Sequence, residues 1–178
     1  MVSPSGMDPE SSPSQEPASE VFADANLKAL LQNARNFVVY QVRLDPEKPY
    51  GGEVVLVSPS ICDITGIERP MDYPSWFERI HPDDREKVIQ ANQAAIAQGK
   101  PFDQIVRVYH PEKDRWVWLH TVSNPVFGED GQVTHYNGLI VDVSEQKMAE
   151  QALQRQLATE YLLTNISATF VNLEAEEV

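Results

Sequence analysis

The stretch IHPDDREKV, which begins at Ile80, brings together side chains that could perform chemistry. His81, Asp83 and Asp84 supply an imidazole and two carboxylates, the groups that bind divalent metal ions or exchange protons in acid and base catalysis. The same stretch could instead begin a helix, because aspartates in a first turn accept hydrogen bonds from free N–H groups and favour the positive end of the helix dipole. Pro82 also suits a first helical position. Both interpretations are open, and the helix start is favoured.

A small metal-dependent hydrolase that uses His81, Asp83 and Asp84 is therefore one functional hypothesis. The sequence offers it little further support, because it contains no glycine-rich phosphate loop, no nucleophile motif and no obvious third ligand. Stoichiometric zinc, manganese or iron that is lost in an Asp83→Ala variant would favour this hypothesis.

The amino-acid composition limits which kinds of molecule the protein can bind and in which cellular compartment it can reside. The 178 residues contain 14 Lys and Arg against 27 Asp and Glu, a formal net charge of −13, which opposes binding to a nucleic acid backbone. The longest apolar runs have the length of strands, far below the roughly 20 residues that span a bilayer, and the N-terminus lacks the pattern of a signal peptide. The single cysteine, Cys62, cannot form an internal disulfide and is expected to be buried. These features predict a cytoplasmic chain without a membrane segment.

The segments around IHPDDREKV predict an α+β domain. Residues 1–20 are rich in Ser, Pro and Glu, so we expect a disordered tail, and residues 21–34 carry apolar side chains at helical spacing and predict an N-terminal helix. NFVVYQVRLD alternates apolar and polar residues, which predicts a strand paired with EVVLVS. Two short helical segments, SICDITG and RPMDYPSWFERI, and a longer helix, DREKVIQANQAAIAQG, follow.

Three strands and an exit helix complete this pattern. FDQIVRVYH, WVWLHTVSNPVF and VTHYNGLIVDV are rich in aromatic and β-branched residues and predict successive hairpins. In the middle strand Trp116, Trp118 and His120 share one face. His120 is a candidate to point toward an interior, and a satisfied or exposed strand histidine is the favoured alternative. The exit helix starts at Ser144, the expected N-cap, and carries an apolar stripe that includes Leu153, Leu157 and Tyr161.

Four stretches, in this order, carry a family resemblance: LVSPSICDITGIERP, WFERIHPDDREKV, GKPFDQIVRVYHPEKDRWVW and PVFGEDGQVTHYNGLIVDVSEQKMAEQAL. Together they resemble a PAS domain with its PAC segment, the sensory module of bacterial signalling proteins. The resemblance implies a PAS domain over residues 35–143, with a five-stranded antiparallel sheet, short helices packed on one face, a pocket between them, and flanking N- and C-terminal helices. It also implies that the HPDD residues begin the long helix and have no catalytic role.

The family architecture implies a set of pocket residues, although an apolar core would have the same composition and is favoured. The candidates are Ile61, Ile64, Trp76, Phe77, Ile89, Val106, Trp118, His120 and Ile140. The cofactor is unknown, and an empty pocket is one alternative. Haem-binding PAS domains usually supply a histidine from the long helix, and residues 83–98 contain none. The Asn-Cys-Arg-Phe-Leu-Gln stretch of the light-sensing flavin variant is also absent.

The sequence Asp142-Val143-Ser144 stands where the family usually has Asp-Ile-Thr. The resemblance implies that Asp142 and Ser144 relay a signal from the last strand to the helix that leaves it, and a purely structural joint is the alternative. Residues 144–165 would form a signalling helix. Residues 166–178 resemble the first helix of a GAF domain, so we expect the sequence to be the front of a longer protein.

The main functional hypothesis is thus a non-enzymatic sensory and dimerisation module. A homodimer would form through the N-terminal and exit helices, a small molecule could occupy the pocket, and the output would lie downstream in a sensor kinase or nucleotide cyclase. A ligand-free PAS module that only mediates protein assembly is the alternative.

Overall fold

Five strands form one antiparallel sheet in the part of the chain that the computed structural model describes, which is Ala29 and residues 35–176, with side chains described as far as Leu163. The sheet order is β2-β1-β5-β4-β3. The first and last strands therefore lie side by side in the middle of the sheet, which confirms the predicted five-stranded α+β architecture. The strands are β1 (Phe37–Leu44), β2 (Gly52–Val57), β3 (Phe102–His110), β4 (Arg115–Phe127) and β5 (Val133–Asp142).

Three helices connect β2 to β3, and a fourth leaves the sheet after β5. They are α1 (Ile61–Thr65), α2 (Tyr73–Glu78), α3 (Pro82–Gln98) and α4 (Ser144–Glu176). Glycines end α1 and α3 in the left-handed conformation, with φ of 70° at Gly66 and 57° at Gly99. A Cβ atom at Gly66 would also collide with Pro111. None of the helices in the described part of the chain is long and apolar enough to cross a membrane.

One face of the sheet is buried beneath α1, α2 and α3. The alternation predicted for β1 is confirmed, since Val38, Tyr40 and Val42 are all buried. In β4, Val117 and Leu119 occupy the same inner face. Burial of this face removes apolar surface from water and supplies the main driving force for the fold.

Some predictions differ from the structure or lie outside it. Cys62 was expected to be buried and is exposed, because it lies on the solvent side of the short helix α1. The predicted tail and N-terminal helix lie outside the described residues, except for Ala29, which is helical. Helix α4 runs without interruption through residue 165, and the GAF-like start of residues 166–178 stays a prediction.

Candidate functional site

A cavity of about 80 Å³ lies between the inner face of the sheet and the helices α2 and α3. Most of its wall is apolar, and aromatic rings from α2 close one side. Four of the residues predicted for a pocket line it: Trp76, Phe77, Val106 and Ile140. Three other candidates are part of the surrounding packing and do not line the cavity: Ile61 and Ile64 are buried in the core, and Ile89 packs against it.

Trp118 and His120 are corrections to the predicted pocket. Both lie on the outer face of the sheet, because the residues that alternate with them, Val117 and Leu119, occupy the inner face. The Trp118 ring lies beneath the Arg107 guanidinium, at 5.6 Å. His120 Nε2 lies 2.8 Å from a carboxylate oxygen of Asp103 on β3. Neither side chain lines the cavity.

The polar groups of the cavity were missed in the sequence. They come from six elements: Tyr40 from β1, Thr65 from α1, Tyr73 from α2, Asn92 from α3, Thr121 and Ser123 from β4, and Tyr136 from β5. A signal for Asn92 was present, because it lies on the same helical face as the buried residues Val88 and Ala95. A polar residue on a buried stripe indicates an internal hydrogen-bond partner.

Tyr40 lies across β5 because Gly138 leaves room for its ring. Tyr40 and Gly138 are paired in the sheet, and a Cβ atom at Gly138 would overlap the phenol group. Gly138 is also paired with Ser123 of β4, and the Tyr40 hydroxyl is hydrogen bonded to the Ser123 side chain. Burial raises the pKa of Tyr40 to about 12, although the contact with Ser123 opposes this increase. Tyr40 is therefore a protonated phenol at neutral pH.

Tyr73 and Asn92 connect the cavity to the loop between β1 and β2. The Tyr73 hydroxyl donates to Asn92 Oδ1 at 3.4 Å, and Asn92 Nδ2 donates to the Tyr50 carbonyl at 3.0 Å. Burial raises the pKa of Tyr73, and the neighbouring Tyr40 raises it further. Tyr50 has a φ of 59°, in the left-handed region that non-glycine residues rarely adopt. Its ring stacks on Phe77 with centroids 4.0 Å apart, so packing and the Asn92 bond hold this conformation.

The residues that line the cavity are not suited to bind haem or flavin. Among the described residues, the lining includes no histidine, no cysteine and no charged side chain. It therefore offers neither an imidazole nor a thiolate ligand for haem iron, and no cation for a flavin phosphate. The cavity of about 80 Å³ is also smaller than the roughly 300–1,000 Å³ of sites for drug-sized molecules.

The joint between β5 and α4 is built on the backbone of Trp118 in β4. Val143 N–H donates to the Trp118 carbonyl at 2.8 Å, and Trp118 N–H donates to the Ser144 hydroxyl at 2.8 Å. The Asp142 carboxylate accepts a hydrogen bond from Ser144 N–H at 2.9 Å. Because β5 ends at Asp142, these contacts satisfy backbone groups of Trp118 that no strand would otherwise pair.

The N-cap predicted at Ser144 is wrong. The Val143 carbonyl accepts the first helical hydrogen bond, from Lys147 N–H at 2.9 Å, and the Asp142 carboxylate serves the N–H of Ser144. The buried Ser144 hydroxyl is engaged by β4 instead. Asp142 and Ser144 thus lie together at the joint, and their role in relay stays a prediction.

Two of the HPDD residues, His81 and Asp84, form hydrogen bonds that join the start of α3 to Arg107 of β3. Arg107 accepts a hydrogen bond from His81 N–H at 2.8 Å through its carbonyl, and its own N–H donates to Asp84 Oδ2 at 3.2 Å. Its guanidinium makes two further bonds to the Asp84 carboxylate, at 2.8 and 2.6 Å. These side-chain hydrogen bonds are the main reason that the pKa of Asp84 is lowered.

The predicted helix start is confirmed here, but the capping residue differs. His81 is the N-cap, and its Nδ1 accepts a hydrogen bond from Asp83 N–H at 3.2 Å. Pro82 occupies the first turn, as expected. The two aspartates do not cap the helix, because Asp84 is bound by Arg107 and Asp83 is largely exposed. Within the described residues, no three His, Cys, Asp or Glu side chains are grouped to hold a metal ion.

Comparison with known proteins agrees with this geometry. Residues 54–140 match the family model described as PAS fold. The chain is 30% identical over 89 residues to the sensor protein FixL of Bradyrhizobium diazoefficiens, a match that covers 50% of this chain and 17% of that protein. The chain thus spans less than a fifth of the length of this curated relative.

Two solved structures share the fold. The N-terminal domain of a diguanylate cyclase with PAS/PAC sensor from Marinobacter aquaeolei has a TM-score of 0.55 at 19% identity, covering 62% of this chain and 98% of that chain. A sensory box histidine kinase/response regulator from Burkholderia thailandensis has a TM-score of 0.55 at 25% identity, covering 75% and 95%. The sheet order, the matched segment and these neighbours show that the domain formed by β1 to β5 and α1 to α3 has the PAS fold.

Proposed function

We propose that this PAS domain is a sensory module that converts a change in its cavity into movement of helix α4. One observation carries the proposal: strand β4 contributes residues both to the cavity and to the joint between β5 and α4. Leu119, Thr121 and Ser123 of β4 line the cavity, and the adjacent residue Trp118 holds both Val143 and Ser144 at the joint. A shift of β4 caused by cavity contents would therefore act directly on the first turn of α4.

Such a relay requires a difference between two states. An occupant moves the helix only if it binds one arrangement of β4 more tightly than the other. Helix α4 is suited to respond, because residues 151–163 are all exposed in the single chain.

The output is proposed to lie beyond Val178, in a sensor kinase or a nucleotide cyclase. The names of the similar proteins support this, since they include a sensor protein, a histidine kinase and a diguanylate cyclase with a PAS/PAC sensor. The chain itself would be non-catalytic, and residues 166–178 would lead into a GAF-like domain. We place it in the cytoplasm, because an exposed free cysteine suits a reducing compartment.

Hydrogen exchange on the full chain tests the relay. Thr121→Leu adds volume to the cavity wall, whereas the control Val122→Leu adds the same kind of bulk to the outer face of β4. We expect Thr121→Leu, but not the control, to speed exchange of the Val143, Ser144 and Lys147 amides. Equal exchange at these amides in the wild type and in Thr121→Leu would refute a relay through β4.

A second proposal, assembly, is favoured by the apolar stripe of α4. The exposed fractions of Leu153, Leu157 and Tyr161 are 58%, 56% and 69%. Repetition every four residues keeps them near one side of the helix, so two copies related by a twofold axis could bury the same stripe on each other. A ligand-free assembly module would need only this contact, whereas the sensor needs the contact and the cavity.

Sedimentation at high micromolar concentration tests the dimer. We expect the wild type to sediment as a dimer and the Leu153→Glu/Leu157→Glu variant as a monomer. The matched control, Gln151→Glu/Thr159→Glu, makes the same change in charge on the other side of α4 and should remain dimeric. A monomeric wild type that is unchanged by deletion of residues 144–178 would exclude assembly through this helix.

A further inference from the structure

We infer that the cavity binds a small, uncharged and mainly apolar molecule that presents one hydrogen-bond acceptor, such as a carbonyl oxygen, to the Tyr73 and Tyr40 hydroxyls. The inference rests on the proposed function, because it takes the cavity to be the input of the sensor. It adds the chemical class of the occupant.

The side chains that line the cavity determine which charge an occupant can carry. Within the described part of the chain, every side chain that lines the cavity is apolar or neutral and polar, and the ionisable groups among them are phenols. An ion that enters such a wall loses its hydration and gains no opposite charge in return. Carboxylates, phosphates and ammonium groups are therefore disfavoured.

The acceptor group follows from the two tyrosines. Burial raises the pKa of both phenols, so each keeps its proton and can donate a hydrogen bond at physiological pH. Tyr73 donates to Asn92 across 3.4 Å, much longer than the roughly 2.7–2.8 Å typical of O–H···O bonds. A ligand acceptor can therefore displace Asn92 with little loss, and Asn92 keeps its bond to Tyr50.

The size of the occupant follows from the volume. A cavity of about 80 Å³ corresponds to about two or three water molecules, at the roughly 30 Å³ that each occupies in the liquid. The occupant is therefore no larger than one small ring. Trp76 and Phe77 on the wall offer aromatic surface to it.

Binding of cyclohexanone to the full chain tests this inference. Trp76 lines the cavity and its indole N–H donates to the Pro70 carbonyl at 3.0 Å, so its indole resonance in an NMR titration reports binding. Trp116 and Trp118 lie on the outer face and serve as internal references. We expect a saturable shift at Trp76 alone. Toluene, with the same number of nonhydrogen atoms and no acceptor, should bind more weakly, and cyclohexylammonium should not bind.

Substitution of the phenols completes the test. Tyr73→Phe should weaken cyclohexanone binding by about 3-fold to 10-fold, the effect of one hydrogen bond, and leave toluene binding unchanged. Tyr40→Phe is a second variant with the same expectation, in case one of the two fails to fold. Tyr109→Phe, which removes an exposed phenol on β3, is the matched control and should bind as the wild type does.

Absence of cyclohexanone binding, equal binding of the ammonium ion, or full affinity in both Tyr73→Phe and Tyr40→Phe would overturn the inference. These outcomes are separate from failure of the proposed relay. If cyclohexanone binds as expected but leaves exchange of the Val143 and Ser144 amides unchanged, the ligand class stands and the relay fails. If Thr121→Leu alters that exchange but cyclohexanone does not bind, the relay stands and the ligand class fails.

Discussion

The first turns of α3 and α4 are attached to the sheet in the same way, by hydrogen bonds to the backbone of one strand residue. At α3, the carbonyl and N–H of Arg107 bind His81 and Asp84. At α4, the carbonyl and N–H of Trp118 bind Val143 and Ser144. In each case a helix start satisfies backbone groups that neighbouring strands leave unpaired. Arg107 and Trp118 are also direct partners across β3 and β4, so the two joints lie side by side.

The two joints differ in what reinforces them. At α3, an ion pair between Arg107 and Asp84 adds two charged hydrogen bonds. The rest of α3 is also held, since Tyr136 of β5 donates to the Ala95 carbonyl at 2.7 Å. At α4, a neutral hydroxyl makes the side-chain contact with the sheet, and residues 148–163 of the helix are exposed. The comparison indicates that α3 is a fixed wall of the cavity and α4 is the element free to respond.

Removal of the ion pair is expected to break the stronger joint. Asp84→Ala leaves the Arg107 backbone N–H without its acceptor and the partly buried guanidinium with the exposed Asp83 carboxylate at 3.5 Å. Hydrogen bonds to charged groups contribute about 1.5–3 kcal/mol. We expect the free energy of unfolding, measured with urea, to fall by about 2 kcal/mol. Asp83→Ala is the control, because Asp83 is 73% exposed, and its effect should stay below about 0.5 kcal/mol. Equal losses in the two variants would contradict the assignment.

Acid should weaken the same joint. The pKa of Asp84 is lower in the folded state than in the unfolded chain, mainly because Arg107 donates hydrogen bonds to the carboxylate. Its contribution to stability is therefore complete above the unfolded value of about 3.9 and is lost as pH falls from there through the lower folded pKa. Unfolding measured between neutral pH and pH 2 should show a shallower acid loss in Asp84→Asn than in the wild type. Identical slopes would show that Asp84 is not the group responsible.

Removal of the hydroxyl should have a smaller effect at the weaker joint. Ser144→Ala leaves the Trp118 N–H without its acceptor, at a cost of about 1 kcal/mol in the free energy of unfolding. Hydrogen exchange should rise most at the first turn of α4. Ser144→Thr keeps a hydroxyl and should restore most of the protection. A threonine variant as destabilised as the alanine variant would point to packing as the cause.

Coupling between the joints is expected to be the smallest effect. Because Arg107 and Trp118 are paired and the guanidinium lies over the indole ring, the losses in Asp84→Ala and Ser144→Ala should not be fully additive. A double-mutant cycle measured by urea unfolding should give an interaction energy of about 0.5 kcal/mol. Strict additivity of the two losses in the free energy of unfolding would mean that the two joints are energetically independent.

The helices and strands could be predicted from the sequence because they depend on the local spacing of apolar residues and glycines. Alternation in β1, the helical stripe of α3 and the glycines that end α1 and α3 all act within a few residues. The face of β4 was not readable in this way. Trp116 and Trp118 alternate with Val117 and Leu119, so both faces of the strand look apolar. The pocket candidates Trp118 and His120, which came from the family architecture, lie on the outer face.

The sequence by itself therefore determined the α+β architecture, the order of the elements, the resemblance to a PAS domain and the position of the joint after Asp142. Only the tertiary structure decided which side chains meet, because the partners are far apart in the chain: Asp84 with Arg107, Ser144 with Trp118, and Asn92 with Tyr50 are separated by 23, 26 and 42 residues. Local pattern carries no information about such pairs. It is the pairing of β1 with β5, and the folding of α2 and α3 over that sheet, that enclose the cavity and give it its phenols.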